Sequence, residues 1–556
     1  MLEYYNEESY TLTIPYDFNN KLVDLPKGIK IIIFKENIEK REYSLFNKSI
    51  EYLPTTITHI TFGSYFNQSV ESLPNSITHL TFGSLFNQPV DKLPNSITHL
   101  TFGLQFNQPV ESLPNSITHL TFGSQFNQPV ESLPNSITHL IFGTYFNQPV
   151  DMLPANLTYL IFGYYFDQPV NNLPKSITHL ILGHGFNQSV DLLPPNITHL
   201  IFCWSLRRSV KRLPKSLTHL TFRSDFWIES INKLPDSITH LEFGYHFNRP
   251  IDEGKLPHSI THLTFGAKFN QPIDEGKLPH SITHLTFGAK FNRPINATYK
   301  KFFFTKKNLP FLTHLTLGKY FNQLINNLPS SITHLTFGMN FDKPINQDSL
   351  PNSLTQLTFG YGFNQPINQG TLPNSITHLT FGYSFNQPIN EGTLPNSSTH
   401  LTFGYSFNQP INEGTLPNSI THLTFGDSFN QPINEGTLPN SITHLTFGWK
   451  FNHSIKILPS ELLYLTLGSW FDQPIEEGTL PNSLMYLSFY SRAQINTIPS
   501  SVETVKIYFH TSDYYNANVE NLPFMIKKII VNDITKIGYI KKIPFGCEVV
   551  EEKKLN

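Results

Sequence analysis

Leu73-Pro74-Asn75-Ser76-Ile77-Thr78-His79-Leu80-Thr81-Phe82-Gly83, followed by Phe86-Asn87-Gln88-Pro89-Val90, returns with small changes from one end of the chain to the other. A self-similar unit of this size marks a solenoid, in which each unit stacks on its neighbours and none has a core of its own. The Leu-Pro pair that opens the unit stands at 53, 73, 93, 113, 133, 153, 173, 193 and 213, then at 234, 256, 278, 309, 328, 350, 372, 394, 416, 438, 458 and 480. Degenerate starts at Leu25-Pro26, Ile498-Pro499 and Leu522-Pro523 bring the number to 24. The step is 20 residues in the first half and mostly 22 in the second. The added pair is Glu-Gly or Gln-Gly, as in Asn390-Glu391-Gly392-Thr393-Leu394, where glycine suits a turn with positive φ and the strand keeps its register.

The repeat overrides the several globular domains that 556 residues would otherwise suggest. The expected organisation has three parts. An N-terminal cap with a half-repeat and a divergent first repeat covers 1–52. A regular solenoid covers 53–497, with irregular units at 202–232 and an insertion at 296–308. Divergent repeats and a cap cover 498–556.

Within Ile77-Thr78-His79-Leu80-Thr81-Phe82 the apolar residues follow the L-x-x-L-x-L pattern of a leucine-rich-repeat strand, so Ile77, Leu80 and Phe82 point inward. Alternation turns His79 and Thr81 outward, with Thr78 at the kink where the chain enters the strand. Phe86, Val90 and Leu73 add inward anchors. Asn87 is expected inside the bend, in a buried amide column whose members bond backbone groups of the next coil. Twenty residues leave no room to return by a helix, and Pro74 and Pro89 would break one, so the other side of the coil is extended chain and single turns.

Composition fits an ordered chain with a core: 39% apolar, 13% aromatic and 14% charged, with a formal net charge of −2. That balance gives no general attraction to nucleic acid. The acidic start Met1-Leu2-Glu3-Tyr4-Tyr5-Asn6-Glu7-Glu8 is unlike a signal peptide, and no stretch has the apolar length of a membrane span. Cys203 and Cys547 are too few and too far apart for a disulfide framework. The expected address is the cytoplasm, that of the host if the protein is viral.

The block Phe-Asn-Gln-Pro-Val/Ile after Leu-Pro-x-Ser-Ile-Thr-His-Leu-Thr-Phe-Gly, nearly verbatim in Phe385-Asn386-Gln387-Pro388-Ile389, closely resembles the FNIP repeat. This leucine-rich-repeat-like family is abundant in social amoebae and in giant viruses that infect amoebae. The resemblance spans residues 12 to 531 and implies a right-handed leucine-rich-repeat-like β-solenoid of about 24 coils of 20–22 residues. It also implies a binding protein, without naming a ligand. Members often carry an amino-terminal F-box, but Leu12 to Leu22 already aligns with the back half of a unit and leaves too few residues before it.

The sharpest outward feature is a histidine column: His79, His99, His119, His139, His179, His199 and His219, continuing to His444. Histidine is the commonest metal ligand, yet no acid or cysteine stands at neighbouring outward positions to complete a site, so no metal or cofactor is expected. Charged imidazoles one coil apart would repel by about 3 kcal/mol at an effective dielectric of 20, which depresses their pKa values. Two breaks in the copying are candidate partner-binding sites. Trp204, Arg207, Arg208, Lys211, Arg212, Arg223 and Trp227 concentrate the basic and aromatic residues that anchor interfaces. Phe302, Phe303 and Phe304, flanked by lysines, form an apolar insertion.

No nucleophile–base pairing, phosphate loop or isolated acid pair points to an enzyme. The reading is a non-enzymatic protein–protein interaction scaffold. The alternative is a substrate-recruiting adaptor of a ubiquitin-ligase assembly that lacks its own F-box.

Overall fold

The computed structural model describes residues 4–203, 210, 212–223, 234–274, 276–295, 309–326, 328–491, 495, 497–509 and 522–552. Contacts divide the chain into two compact units, Met1–Phe247 with Gly254–Gly266, and Asn248–Glu253 with Ala267–Asn556. Each is a β-solenoid whose coils contribute one short parallel strand, paired in register with its own copy. His79 lies beside His99, Leu80 beside Leu100 and Thr81 beside Thr101. A strand follows every one of the 24 starts read from the sequence, and among the described residues three further strands flank them, Tyr5–Asn6, Thr11–Ile14 and Glu548–Glu551. The last follows Ile543-Pro544, a start too degenerate to recognise.

The inward residues are the expected ones. Leu73, Ile77, Leu80, Phe82, Phe86 and Val90 are all buried. Phe82 and Phe86 stack within a coil at 3.7 Å, and each stacks on its copy in the next coil at 5.7 and 6.1 Å. The return path is turns: the Ile77 N–H donates to the Pro74 carbonyl at 3.2 Å and the Phe86 N–H to Gly83 at 3.3 Å. A short 3-10 turn is formed at Ile534–Tyr539.

The repeat glycine decides where the ladder stops. A Cβ on Gly103 would sit 1.8 Å from the Gly83 carbonyl oxygen, and the same collision recurs from Gly83 to Gly163. Consecutive backbones therefore approach at a distance only glycine permits, and the strand before it is three residues long, as in His79–Thr81. Where another residue takes that position, the strand runs on. His199–Phe202 precedes Cys203, His219–Phe222 precedes Arg223, and Tyr486–Tyr490 and Thr504–Tyr508 include the position itself.

The two-residue insertions behave as read. The Thr393 N–H donates to the Asn390 carbonyl at 3.1 Å around Gly392 at φ 72°, and the threonine is buried at the corner. Register is untouched, with Thr358 beside Thr380. The asparagine column is half-buried to exposed rather than buried. Asn87 Oδ1 accepts from the Asn107 backbone N–H at 2.9 Å, and Gln108 Nε2 donates to the same oxygen at 3.2 Å. Asp167 and Asp342 keep the acceptor role where they replace asparagine, at 2.8 and 2.9 Å.

The ends lose the copied pattern. Tyr5–Asn6 pairs antiparallel with Thr11–Leu12, covering the edge of the first parallel strand. The last strands carry charge outward, with Lys506–Glu552 at 2.6 Å, Lys527–Glu503 at 2.7 Å and Lys528–Glu548 at 3.3 Å. Charged edges of this kind oppose further strand addition.

Two substitutions test these assignments by denaturant unfolding. Gly103→Ala should destabilise by about 2–3 kcal/mol, the cost of overpacking against a backbone that cannot give way. Asn127→Ala should lose about 1–2 kcal/mol while Asn127→Asp keeps most of the stability, since Oδ1 is the atom that the Asn147 N–H needs.

Candidate functional site

The outward face of each strand is built from a Thr-His-x-Thr stretch. Thr98 Oγ1 donates to the Thr78 carbonyl at 3.1 Å and contacts His99 Nδ1 at 2.9 Å. A hydroxyl has one hydrogen, and here it is committed to the carbonyl, so Nδ1 must be the donor to Oγ1. The same pair of contacts recurs from Thr78 to Thr443. The network thus sets one tautomer along the column, with Nε2 left as an outward acceptor.

The imidazoles stack face to face. Centroids are 4.2 Å apart from His79 to His99, His99 to His119 and His119 to His139, and 4.1 Å from His199 to His219. His179 stacks on His199 at 4.2 Å, while Tyr159 interrupts the column with spacings of 5.5 and 5.8 Å. Stacked parallel rings aim their Nε2 lone pairs side by side, so neighbouring donors do not converge on one ion. Among the described residues no three His, Cys, Asp or Glu groups form a metal-binding cluster.

The pKa of His79, His99, His119, His219, His284, His314, His334, His400, His422 and His444 is lowered, and that of His199 falls to about 4. Burial between the neighbouring rings is the larger cause, and repulsion from the other histidines adds to it. The direction is the one the spacing implies; the leading cause is desolvation rather than repulsion.

Of the residues singled out at the two breaks, Arg212 and Arg223 are described, and both are exposed. Arg223 holds the glycine position of its coil, its N–H donating to the Phe202 carbonyl at 2.7 Å. Burial raises the pKa of the neighbouring Cys203 thiol, and the Arg223 charge opposes that rise. Trp204, Arg207, Arg208, Lys211, Trp227, Phe302, Phe303 and Phe304 lie outside the described residues.

The structure draws attention to positions passed over in the sequence, the two residues after each repeat glycine. The core, asparagine and histidine positions are largely copied, but these vary, and they are rich in exposed aromatic residues. In the first unit Tyr145 stacks on Tyr165 at 5.1 Å and Tyr164 on His184 at 4.1 Å. In the second, Tyr361, Tyr383 and Tyr405 form a ladder with 4.3 and 4.4 Å steps, followed along the coils by Trp449 and Trp470, each more than half exposed. Variation against a copied background was the signal that could have found them.

A family model described as FNIP Repeat matches residues 46–85, 86–125, 106–145, 126–165, 146–185, 166–205, 230–268, 269–299, 324–362, 363–406, 407–450 and 451–492. The crystal structure of CroV588, a circular LRR protein from a giant virus, is similar at 42% identity and a TM-score of 0.74, covering 95% of this chain and 86% of that one. The TLR13–ssRNA13 complex matches at 13% identity and a TM-score of 0.57, covering 94% and 88%, and shares the fold alone. No curated protein matches the chain. Among the described residues no helix is long and apolar enough to cross a membrane.

The histidine column predicts a pH dependence. A base whose pKa is depressed on folding stabilises the fold fully above its unfolded value near 6.5, and that stability is lost as pH falls toward the folded value. The thermal midpoint should therefore be highest above about pH 7 and drop between pH 6.5 and about 4, the value His199 reaches. Replacing His79, His99 and His119 with glutamine, the residue at Gln356 in the same column, should flatten the profile in that window; an unchanged slope would contradict it.

Proposed function

We propose that this chain, which belongs to the FNIP-repeat family, is a non-enzymatic scaffold that holds protein partners along its solenoid surface. The observation that carries this reading is the contrast between copied and varied positions. The interior, the asparagine column and the histidine column repeat, whereas the residues after the glycine differ from coil to coil and expose Tyr145, Tyr164, Tyr165, Tyr361, Tyr383 and Tyr405. Exposed tyrosine and tryptophan anchor protein interfaces because they present large, rigid, amphipathic area. The lowered pKa values of His79, His99, His119 and His199 keep these outward rings uncharged near neutral pH, which suits partners other than polyanions.

The scaffold acts in the cytoplasm of an amoebal cell, and the irregular unit around Arg207, Arg208, Arg212 and Arg223 is a second docking point beside the aromatic positions. Proximity labelling in amoebal cells tests both. A variant with those four arginines reversed to glutamate should lose a discrete subset of the wild-type partners, and a Tyr145→Ser, Tyr164→Ser, Tyr165→Ser variant a different subset. Identical labelling by wild type, both variants and an unrelated solenoid would overturn the reading. Enrichment of cullin components would replace the scaffold with the ubiquitin-ligase adaptor.

A further inference from the structure

The geometry points to a cation-binding notch at Asp427, in which the guanidinium of an arginine on an extended segment of a partner protein stacks on Tyr405 and pairs with the carboxylate. This rests on the scaffold reading and deepens it by naming the chemistry one stretch of the surface recognises.

Along the second unit the position after the glycine reads Tyr361, Tyr383, Tyr405, Asp427, Trp449 in successive coils. The first three rings are parallel within 6° and 3° of one another, so each covers one face of the next. Tyr405 is the end of that ladder. Its far face looks along the solenoid toward the coil of Asp427, and the ring is 38% exposed. Trp449, 54% exposed, stands on the other side. Asp427 is a short side chain between two large aromatic ones, and the residue beside it, Ser428, is small. Two coils of a parallel ladder are about 9.5 Å apart, more than the roughly 7 Å a flat guanidinium needs between surfaces at van der Waals contact.

The charge of the notch decides its ligand. Asp427 Oδ1 accepts from the Trp449 backbone N–H at 3.3 Å, and Oδ2 takes no hydrogen bond among the described residues. Asp427 takes part in no ion pair among the described residues. Lys450, the residue after Trp449, uses its backbone N–H on the Asp427 carbonyl at 2.8 Å and keeps a half-buried side chain. A half-buried acid one coil from an aromatic face complements a delocalised cation, and guanidinium satisfies carboxylate and ring together where a compact ammonium reaches one. The uncharged remainder of the tyrosine ladder, Tyr361 and Tyr383, takes the neutral residues flanking that arginine.

The test uses the intact chain and short dye-labelled Gly/Ser peptides with one central arginine between leucines, compared by anisotropy with the same peptide carrying citrulline, which keeps the shape and removes the charge. The arginine peptide should bind about tenfold more tightly than the citrulline peptide. Asp427→Asn should erase that difference, and Tyr405→Ala should weaken the arginine peptide about three- to tenfold. Both positions are surface ones, and unchanged thermal midpoints confirm folding. Equal affinity for the two peptides, no measurable binding of either, or a difference that survives Asp427→Asn overturns the notch. Failure here with partner labelling intact leaves the scaffold standing; arginine binding without any partner labelling removes the scaffold and keeps the notch.

Discussion

In this fold the strand and core side chains rest on their own copies one coil away, and that self-contact governs the choice of residue at those positions. In-register parallel pairing puts histidine on histidine, leucine on leucine and threonine on threonine. Residues that repel themselves are excluded from such columns and residues that satisfy themselves are repeated. Phenylalanine stacks on itself, an asparagine oxygen takes the N–H of the next asparagine, and glycine admits the next glycine's carbonyl. Histidine qualifies only as the neutral base, and the threonine before it supplies the acceptor that fixes its tautomer. The low charged content of the chain, 14%, follows from the same rule.

The rule also explains where individuality is permitted. Glycine ends the ladder after three residues, and the chain then leaves the column geometry for a turn. At the two positions that follow, a side chain projects outward and its neighbour one coil away need not match it. Unlike residues can therefore sit in sequence, as Tyr405, Asp427 and Trp449 do. The coils that lack the glycine extend the strand by one or two residues, at Cys203, Arg223, Tyr490 and Tyr508, so loss of the stop and loss of copying occur together.

Much of this was legible before any coordinates. Spacing alone placed Ile77, Leu80 and Phe82 inside, put His79 and Thr81 outside, and assigned Asn87 to a bond with the next coil, because period and burial are linked in a strand. The clamp by Gln88 and its copies was not legible, since an exposed glutamine has many uses and nothing in the repeat tells them apart. The need for the repeat glycine comes from a close approach between two coils, a distance that no single unit contains. The aromatic positions are not legible in the repeat pattern, because their meaning lies in small variation between copies.

The sequence by itself determined that this protein is a stack of one-strand coils, which residues face the core, and that the outward face carries histidine and threonine, since each of these follows from a periodicity internal to one unit. Only the tertiary structure decided the tautomer of the histidines, the steric role of the glycine, and the placing of Asp427 between exposed rings. Those depend on distances of a few ångströms between residues about twenty positions apart, and stacking, which brings copies into contact, is what sets them.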